Sequence, residues 1–122
     1  MSPTVLVVDD EVDLLFTIGL SLELAGYRVL KASSGEEALA LAAADPPDAI
    51  VLDLRLPGID GWEVIRRLGD AGAFPRTPVV LLSAQVDAAT AARAVDLGVH
   101  AHLAKPFRAS ELTGVLSGLV NG

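Results

Sequence analysis

The sequence predicts an α/β fold, a doubly wound parallel sheet of five strands, on three observations. Short unbroken apolar runs recur at Val5-Leu6-Val7-Val8, Ala49-Ile50-Val51-Leu52 and Val79-Val80-Leu81-Leu82. Runs of this kind, without polar alternation, read as strands buried on both faces. Between them lie stretches with helical spacing. The connections are short, so successive strands run parallel through right-handed crossovers. The chain has 122 residues, 52% of them hydrophobic, enough for one domain with a full core and too few for two ordinary ones.

In order, Val5–Val8 is the first strand, and Asp9-Asp10-Glu11 ends it. Glu11 to Ala25 has a helical pattern that Gly26 stops. Tyr27 to Ala32 is a less apolar second strand, placed nearer an edge. Ser33 or Ser34 caps the second helix, with Glu36 and Glu37 in its first turn. That helix runs to about Asp45, where Pro46-Pro47 forbids its continuation. The third strand, from Ala49, ends at Asp53. Pro57-Gly58-Ile59-Asp60-Gly61 is turn chemistry, and a helix follows from about Trp62 to Asp70. Val79–Leu82 is the fourth strand, ending at Ser83. Asp87 to Leu97 is an alanine-rich helix stopped by Gly98. His100–Leu103 is a short fifth strand ending near Lys105-Pro106, and Arg108 to Val120 is the last helix.

The first, third and fourth strands are the most apolar, so they belong at the centre. The order 2-1-3-4-5 satisfies this. It is the order known for flavodoxin-like (βα)5 sheets, whose ligands lie at the carboxyl edge, where the winding reverses between strands one and three. Asp9, Asp10 and Asp53 end those two strands.

Composition narrows the function. Nine Lys and Arg against sixteen Asp and Glu leave a net charge of −7. Direct binding to nucleic acid or to an anionic membrane is not expected. The absence of cysteine removes disulfides, thiolate nucleophiles and cysteine-bound zinc, and it suits a reducing cytoplasm. The start, Met1-Ser2-Pro3-Thr4, has no basic region of the kind a signal peptide needs. No stretch approaches the roughly 18 apolar residues of a membrane span.

Three carboxylates in one crevice repel one another. Two like charges about 4 Å apart cost about 4 kcal/mol at an effective dielectric near 20. The cluster calls for a cation, and all-oxygen ligands suit a hard one. Mg²⁺ is the natural candidate, because one or two carboxylates plus waters and phosphate oxygens hold it. Ser83 brings a hydroxyl to the same edge and Lys105 an ammonium. A cation, an ammonium and a hydroxyl around one carboxylate form an anion pocket with a nucleophile inside. That is apparatus for moving a phosphoryl group onto Asp53.

These groups, each at the carboxyl end of its own strand, resemble the pattern of response regulator receiver domains of two-component signal transduction. The acidic pair is Asp9-Asp10, the phosphoacceptor Asp53, the hydroxyl Ser83 and the Lys-Pro pair Lys105-Pro106. The loop from Asp53 to Gly58, with Asp60-Gly61, is also similar. The resemblance covers the chain, 1–122, as one receiver domain. It implies that Asp53 attacks a phosphohistidine on a sensor histidine kinase or histidine phosphotransfer protein. Asp10 and Asp53 would ligate Mg²⁺, with Asp9 supporting through water and the backbone carbonyl of Arg55 completing the set. Lys105 would pair with a phosphoryl oxygen, and Ser83 would turn its hydroxyl onto it. The Lys105-Pro106 bond would be cis. The added charge would bias a surface of helix four, strand five and helix five.

Two departures stand out. The usual aromatic switch residue three places before the lysine is replaced by His102, which keeps a ring and adds a titratable tip; His102 is expected still to mark activation. Val99-His100-Ala101 replaces the acids that often precede strand five, so a monomer or weak homodimer is expected. Arg55 and Gln85 flank the pocket where family members differ and are expected to affect phosphoryl lifetime. Trp62 is assigned no chemistry.

At about 100° per residue, Leu14, Ile18, Leu22 and Ala25 share the core face of helix one. Val12, Phe16 and Leu20 fall opposite, with Leu24 drifting round from them. A solvent-facing helix surface should be polar, and exposed apolar clusters mark binding sites. In the resembled family the histidine-bearing partner docks beside this helix. Phe16, Leu20 and Pro106 are therefore expected partner contacts. The expected role is a signalling switch that catalyses only its own phosphorylation and dephosphorylation. The alternatives are a phosphate-independent interaction module, or a small Mg²⁺-dependent phosphatase using an aspartyl phosphate. The latter commonly has a second acid two residues after the nucleophile, where Arg55 stands. The sequence stops about where the fifth helix should, with no output domain in it: a stand-alone regulator or a piece of a longer chain.

Overall fold

The computed structural model describes residues 2–72, 77–84 and 87–120. Strands and helices alternate as β1 (Thr4–Val8), α1 (Val12–Leu24), β2 (Arg28–Ala32), α2 (Gly35–Ala44), β3 (Ala49–Asp53), α3 (Gly61–Asp70), β4 (Val79–Ser83), α4 (Ala88–Asp96), β5 (Ala101–Ala104) and α5 (Ala109–Val120). All neighbouring strands are parallel, in the order β2-β1-β3-β4-β5. The apolar strands β1, β3 and β4 are buried along their whole length, and the less apolar β2 and β5 form the edges.

Alternate strand residues serve two cores. Val5, Val7, Val51, Val80 and Leu82 pack with Ile18 and Leu22 of α1 and with Leu112 and Leu116 of α5. Leu6, Val8, Ile50, Leu52, Val79 and Leu81 pack against Ala38, Val64, Ile65, Leu68 and Ala94 on the other three helices. Three helices start on a side-chain cap. Ser34, Asp60 and Asp87 accept from the backbone N–H of Glu37, Glu63 and Thr90 at 3.1, 2.9 and 2.7 Å. Glu37 reaches back to accept from the N–H of Ser33, the residue before the cap, at 2.7 Å.

The register places the site. Val8 lies opposite Leu52, Asp53 opposite Leu82, and Ser83 opposite Ala104. The ends of β1, β3, β4 and β5 are thus level. Asp9, Asp53, Ser83 and Lys105 emerge on one rim.

Helix one departs in part from the pattern its sequence predicts. Leu15, Ile18, Gly19 and Leu22 are its buried residues, Leu14 is half-buried and Ala25 is exposed. Ala25 leaves the core face because α1 ends at Leu24 and the chain turns at Gly26, with φ of 98°. Gly19 is buried because the stem of Lys31, on the edge strand, crosses directly over it; a Cβ there would collide with Lys31 Cε. The opposite face is apolar and open as expected. Val12, Phe16, Leu20 and Leu24 are 72, 62, 47 and 81% exposed. No helix among the described residues is long and apolar enough to cross a membrane.

Candidate functional site

Asp9 is fully buried, and Asp53 is 4% exposed. Each sits where an apolar strand stops, so burial comes from the strand and charge from the residue that ends it. Asp10 is exposed beside them. A carboxylate oxygen from each of the three lies within 4.8 Å of the others. The Lys105 ammonium bridges the two buried acids, with Nζ 2.8 Å from Asp53 Oδ2 and 3.0 Å from Asp9 Oδ2. It also lies 3.6 Å from Glu11, an exposed acid to which the sequence pattern assigns only the start of a helix. Its position directly after the acidic pair is the one signal of this role that the sequence carries. The remaining oxygen of each buried acid accepts a backbone N–H: Asp9 Oδ1 from Glu11 at 2.9 Å and Asp53 Oδ1 from Arg55 at 3.2 Å. Asp9 therefore shapes the entry to α1, while Glu11, its N-cap residue, makes no side-chain cap among the described residues.

Burial raises the Asp53 pKa above the ordinary aspartate value, opposed by the Lys105 bond and the Arg55 N–H. Its carboxylate is more basic than a surface aspartate's. Burial would lower the pKa of Lys105, but its bonds to Asp53 and Asp9 outweigh this and raise it. The ammonium stays charged where the acids need it.

The donor set fits a hard divalent cation: three carboxylates converge, one open to solvent, with no nitrogen or sulfur ligand in the group. Of the three acids, Asp10 lines a crevice of about 630 Å³, together with Arg55, Asp60, Trp62, Ser83 and Thr90. Ser83 is buried at the end of β4, and its Oγ lies 2.7 Å from His102 Nε2. Burial lowers the pKa of His102, with the nearby Asp87 charge opposing. Lys105-Pro106 is cis, as expected, and Pro106 is exposed. Phe16 and Leu20 stand on the outer face of α1, with Lys31 Nζ 5.5 Å from the Phe16 ring centroid. The Arg93 guanidinium lies 4.4 Å from the Trp62 ring centroid, a contact between α3 and α4 at the crevice rim that no sequence spacing signals. Gln85 lies outside the described residues.

Residues 5–117 match the family described as response regulator receiver domain. The chain belongs to that family. It is 39% identical over 116 residues to the transcriptional regulatory protein KdpE of Mycobacterium tuberculosis, covering 95% of this chain and 50% of that one. It is 38% identical over 112 residues to the Bacillus subtilis alkaline phosphatase synthesis transcriptional regulatory protein PhoP, covering 92% and 46%. The chain thus spans about half the length of these relatives. Among solved structures, the receiver domain of the Francisella response regulator 1452 superposes with a TM-score of 0.92 at 31% identity, covering 98% of both chains. The Vibrio cholerae chemotaxis protein CheY4 gives 0.92 at 28% identity, covering 98% of this chain and 99% of that one. The receiver fold and strand order expected from the sequence are those observed.

Proposed function

We propose that this receiver is the phosphoacceptor of a two-component phosphorelay, taking a phosphoryl group onto Asp53 from a sensor histidine kinase or histidine phosphotransfer protein in the cytoplasm. The observation that carries this reading is Lys105 Nζ held between Asp53 and Asp9, at the crevice mouth where Asp10 is exposed. In the transfer a carboxylate oxygen of Asp53 forms a P–O bond as the P–N bond of the donor phosphohistidine breaks. Lys105 then has a phosphoryl oxygen to pair with, and Ser83 supplies a hydroxyl donor. Asp9, Asp10 and Asp53, with the backbone carbonyl of Arg55, would hold Mg²⁺. When bound, the ion offsets the charge gathered between carboxylate and phosphoryl oxygens.

The new charge, roughly −1.5 to −2 if it behaves as other phosphorylated side chains do, biases the α4-β5-α5 surface through Ser83 and His102. Phe16, Leu20 and Pro106 are assigned to the donor's docking face, and the chain to a monomer or weak homodimer. Its chemistry is confined to its own phosphorylation and dephosphorylation. An intact set of acids, hydroxyl and lysine argues against a phosphate-independent module.

Incubation with acetyl phosphate and Mg²⁺, read by intact mass, is expected to give one phosphoryl adduct that Asp53→Asn abolishes. An adduct that survives Asp53→Asn would refute the assignment. Phe16→Ala is expected to slow transfer from a phosphorylated histidine donor while leaving the acetyl phosphate reaction unchanged. Equal transfer from the donor would remove Phe16 from the docking face.

A further inference from the structure

Glu11 does not put its carboxylate to the use its place in the chain suggests. It is the N-cap residue of α1, and its backbone is fixed at both ends. Its N–H donates to Asp9 Oδ1 at 2.9 Å, and its carbonyl accepts from the N–H of Leu15 at 2.9 Å. The side chain of an N-cap residue ordinarily accepts from the first turn of its helix. That of Glu11 caps nothing among the described residues, and its Oε1 stands 3.6 Å from Lys105 Nζ. An ammonium carries three N–H donors and no acceptor. Two of those on Lys105 are bonded to Asp53 and Asp9. Glu11 is the third acid around it, near enough for an ion pair and too far for a hydrogen bond.

We propose that Glu11 is a positioning residue for Lys105, standing in for a phosphoryl oxygen until one arrives. In the free protein its carboxylate balances the third N–H of the ammonium. With a phosphoryl group on Asp53, a phosphoryl oxygen takes that N–H, and the Glu11 carboxylate goes to solvent. No proton changes owner; the ammonium exchanges one anionic acceptor for another. This rests on the phosphoacceptor reading of Asp53 and adds to it a residue whose charge opposes phosphorylation.

Burial decides which acid yields. The side chains of Asp9 and Asp53 are 0 and 6% exposed, and that of Glu11 is 66% exposed. Releasing Asp9 would strand a buried carboxylate without its cation, a costly change. Water replaces the partner of an exposed carboxylate at little cost. Asp53 is the residue that receives the phosphoryl group, so the ammonium stays beside it. A group that interacts with one of two states shifts the balance away from the other by the strength of that interaction. Glu11 engages Lys105 only before transfer, so it favours the unphosphorylated state. Among the described residues the ion pairs of Lys105 are with Asp9, Glu11 and Asp53. Asp13, exposed in the first turn of α1, carries the same charge two residues further on and supplies the comparison.

The test compares the native protein with Glu11→Gln and Asp13→Asn, using beryllofluoride with Mg²⁺ as the phosphoryl mimic. Glu11→Gln is expected to tighten the adduct by about two- to five-fold, the span of an exposed ion pair. Asp13→Asn, which removes the same charge from the same helix, is expected to change it clearly less. Nitrogen NMR of the Lys105 ammonium is expected to separate Glu11→Gln from the native protein in the free state. In the adduct, where Glu11 has left, the two are expected to share one resonance. Equal tightening by the two variants would mean that only overall charge matters, and overturns the proposal. So does a Lys105 resonance that Glu11→Gln leaves alone in the free protein or moves in both states. A weaker adduct in Glu11→Gln overturns it too, by making Glu11 a ligand of the cation rather than a rival of the phosphoryl oxygen. In each of these cases the Asp53 reading stands. Failure of beryllofluoride to bind the native protein overturns both.

Discussion

Two buried carboxylates, Asp9 and Asp53, share one ammonium, so removing Lys105 leaves both without their cation. Losing one partner of a buried ion pair costs about 3 kcal/mol or more. Urea unfolding of Lys105→Ala is expected to show a loss of that order in metal-free buffer. Added Mg²⁺ is expected to recover part of it, because a cation at the acids replaces the missing charge; equal stability of the variant and the native protein would mean that the ammonium does not hold the acids in place. At this scale the sequence is informative wherever chemistry coincides with the end of an apolar run. Asp9, Asp53 and Ser83 are legible for that reason, and Lys105 because a proline follows it. The Ser83–His102 bond is not, because it depends on two side-chain rotamers meeting across neighbouring strands. The Trp62–Arg93 contact is hidden for the same reason, since it joins two helices.

Among the elements, the loop after β3 and the start of α3 constrain each other. Gly61 N–H bonds Leu54 O at 2.9 Å, and a Cβ on Gly61 would sit 2.7 Å from Asp53 O and 2.8 Å from Leu54 Cα. These are backbone atoms of the site itself and cannot rotate away. Gly61→Ala is expected to destabilise by about 1–3 kcal/mol and to slow phosphoryl uptake from acetyl phosphate, because relief requires moving the Asp53 backbone. Unchanged uptake would show that α3 yields instead. Element boundaries are legible to within a residue or two, since caps and glycines announce them: Ser34, Asp60 and Asp87 cap where polar residues precede helical runs. The core face of α1 is legible only in part. Periodicity places Ile18 and Leu22 inside, but Gly19 is buried by the Lys31 stem, a neighbour that no helical pattern contains. The open face of Val12, Phe16, Leu20 and Leu24 is plain, because nothing in the fold contradicts the pattern.

At the scale of the whole molecule, one sheet serves two cores, and the central strands belong to both. Leu52 is fully buried on the α2–α4 side, one residue from Asp53. Leu52→Ala is expected to cost about 2–5 kcal/mol, the usual range for a buried leucine. Circular dichroism and amide exchange on α5, across the sheet, are expected to report the same transition, as two-state unfolding requires. Separate transitions would mean that the two faces melt independently. Hydropathy selects the central strands, because these are buried on both faces, and the 2-1-3-4-5 order that satisfies it is the one known for flavodoxin-like sheets; the register that levels the strand ends is not legible. That levelling joins residues far apart in the chain. Lys105 meets Asp9 across 96 positions and Asp53 across 52. A chain emerging from the ribosome therefore holds both acids long before it holds their lysine. The full set of charges at this site exists only once translation has passed β5, so any shorter nascent chain carries the acids without their ammonium.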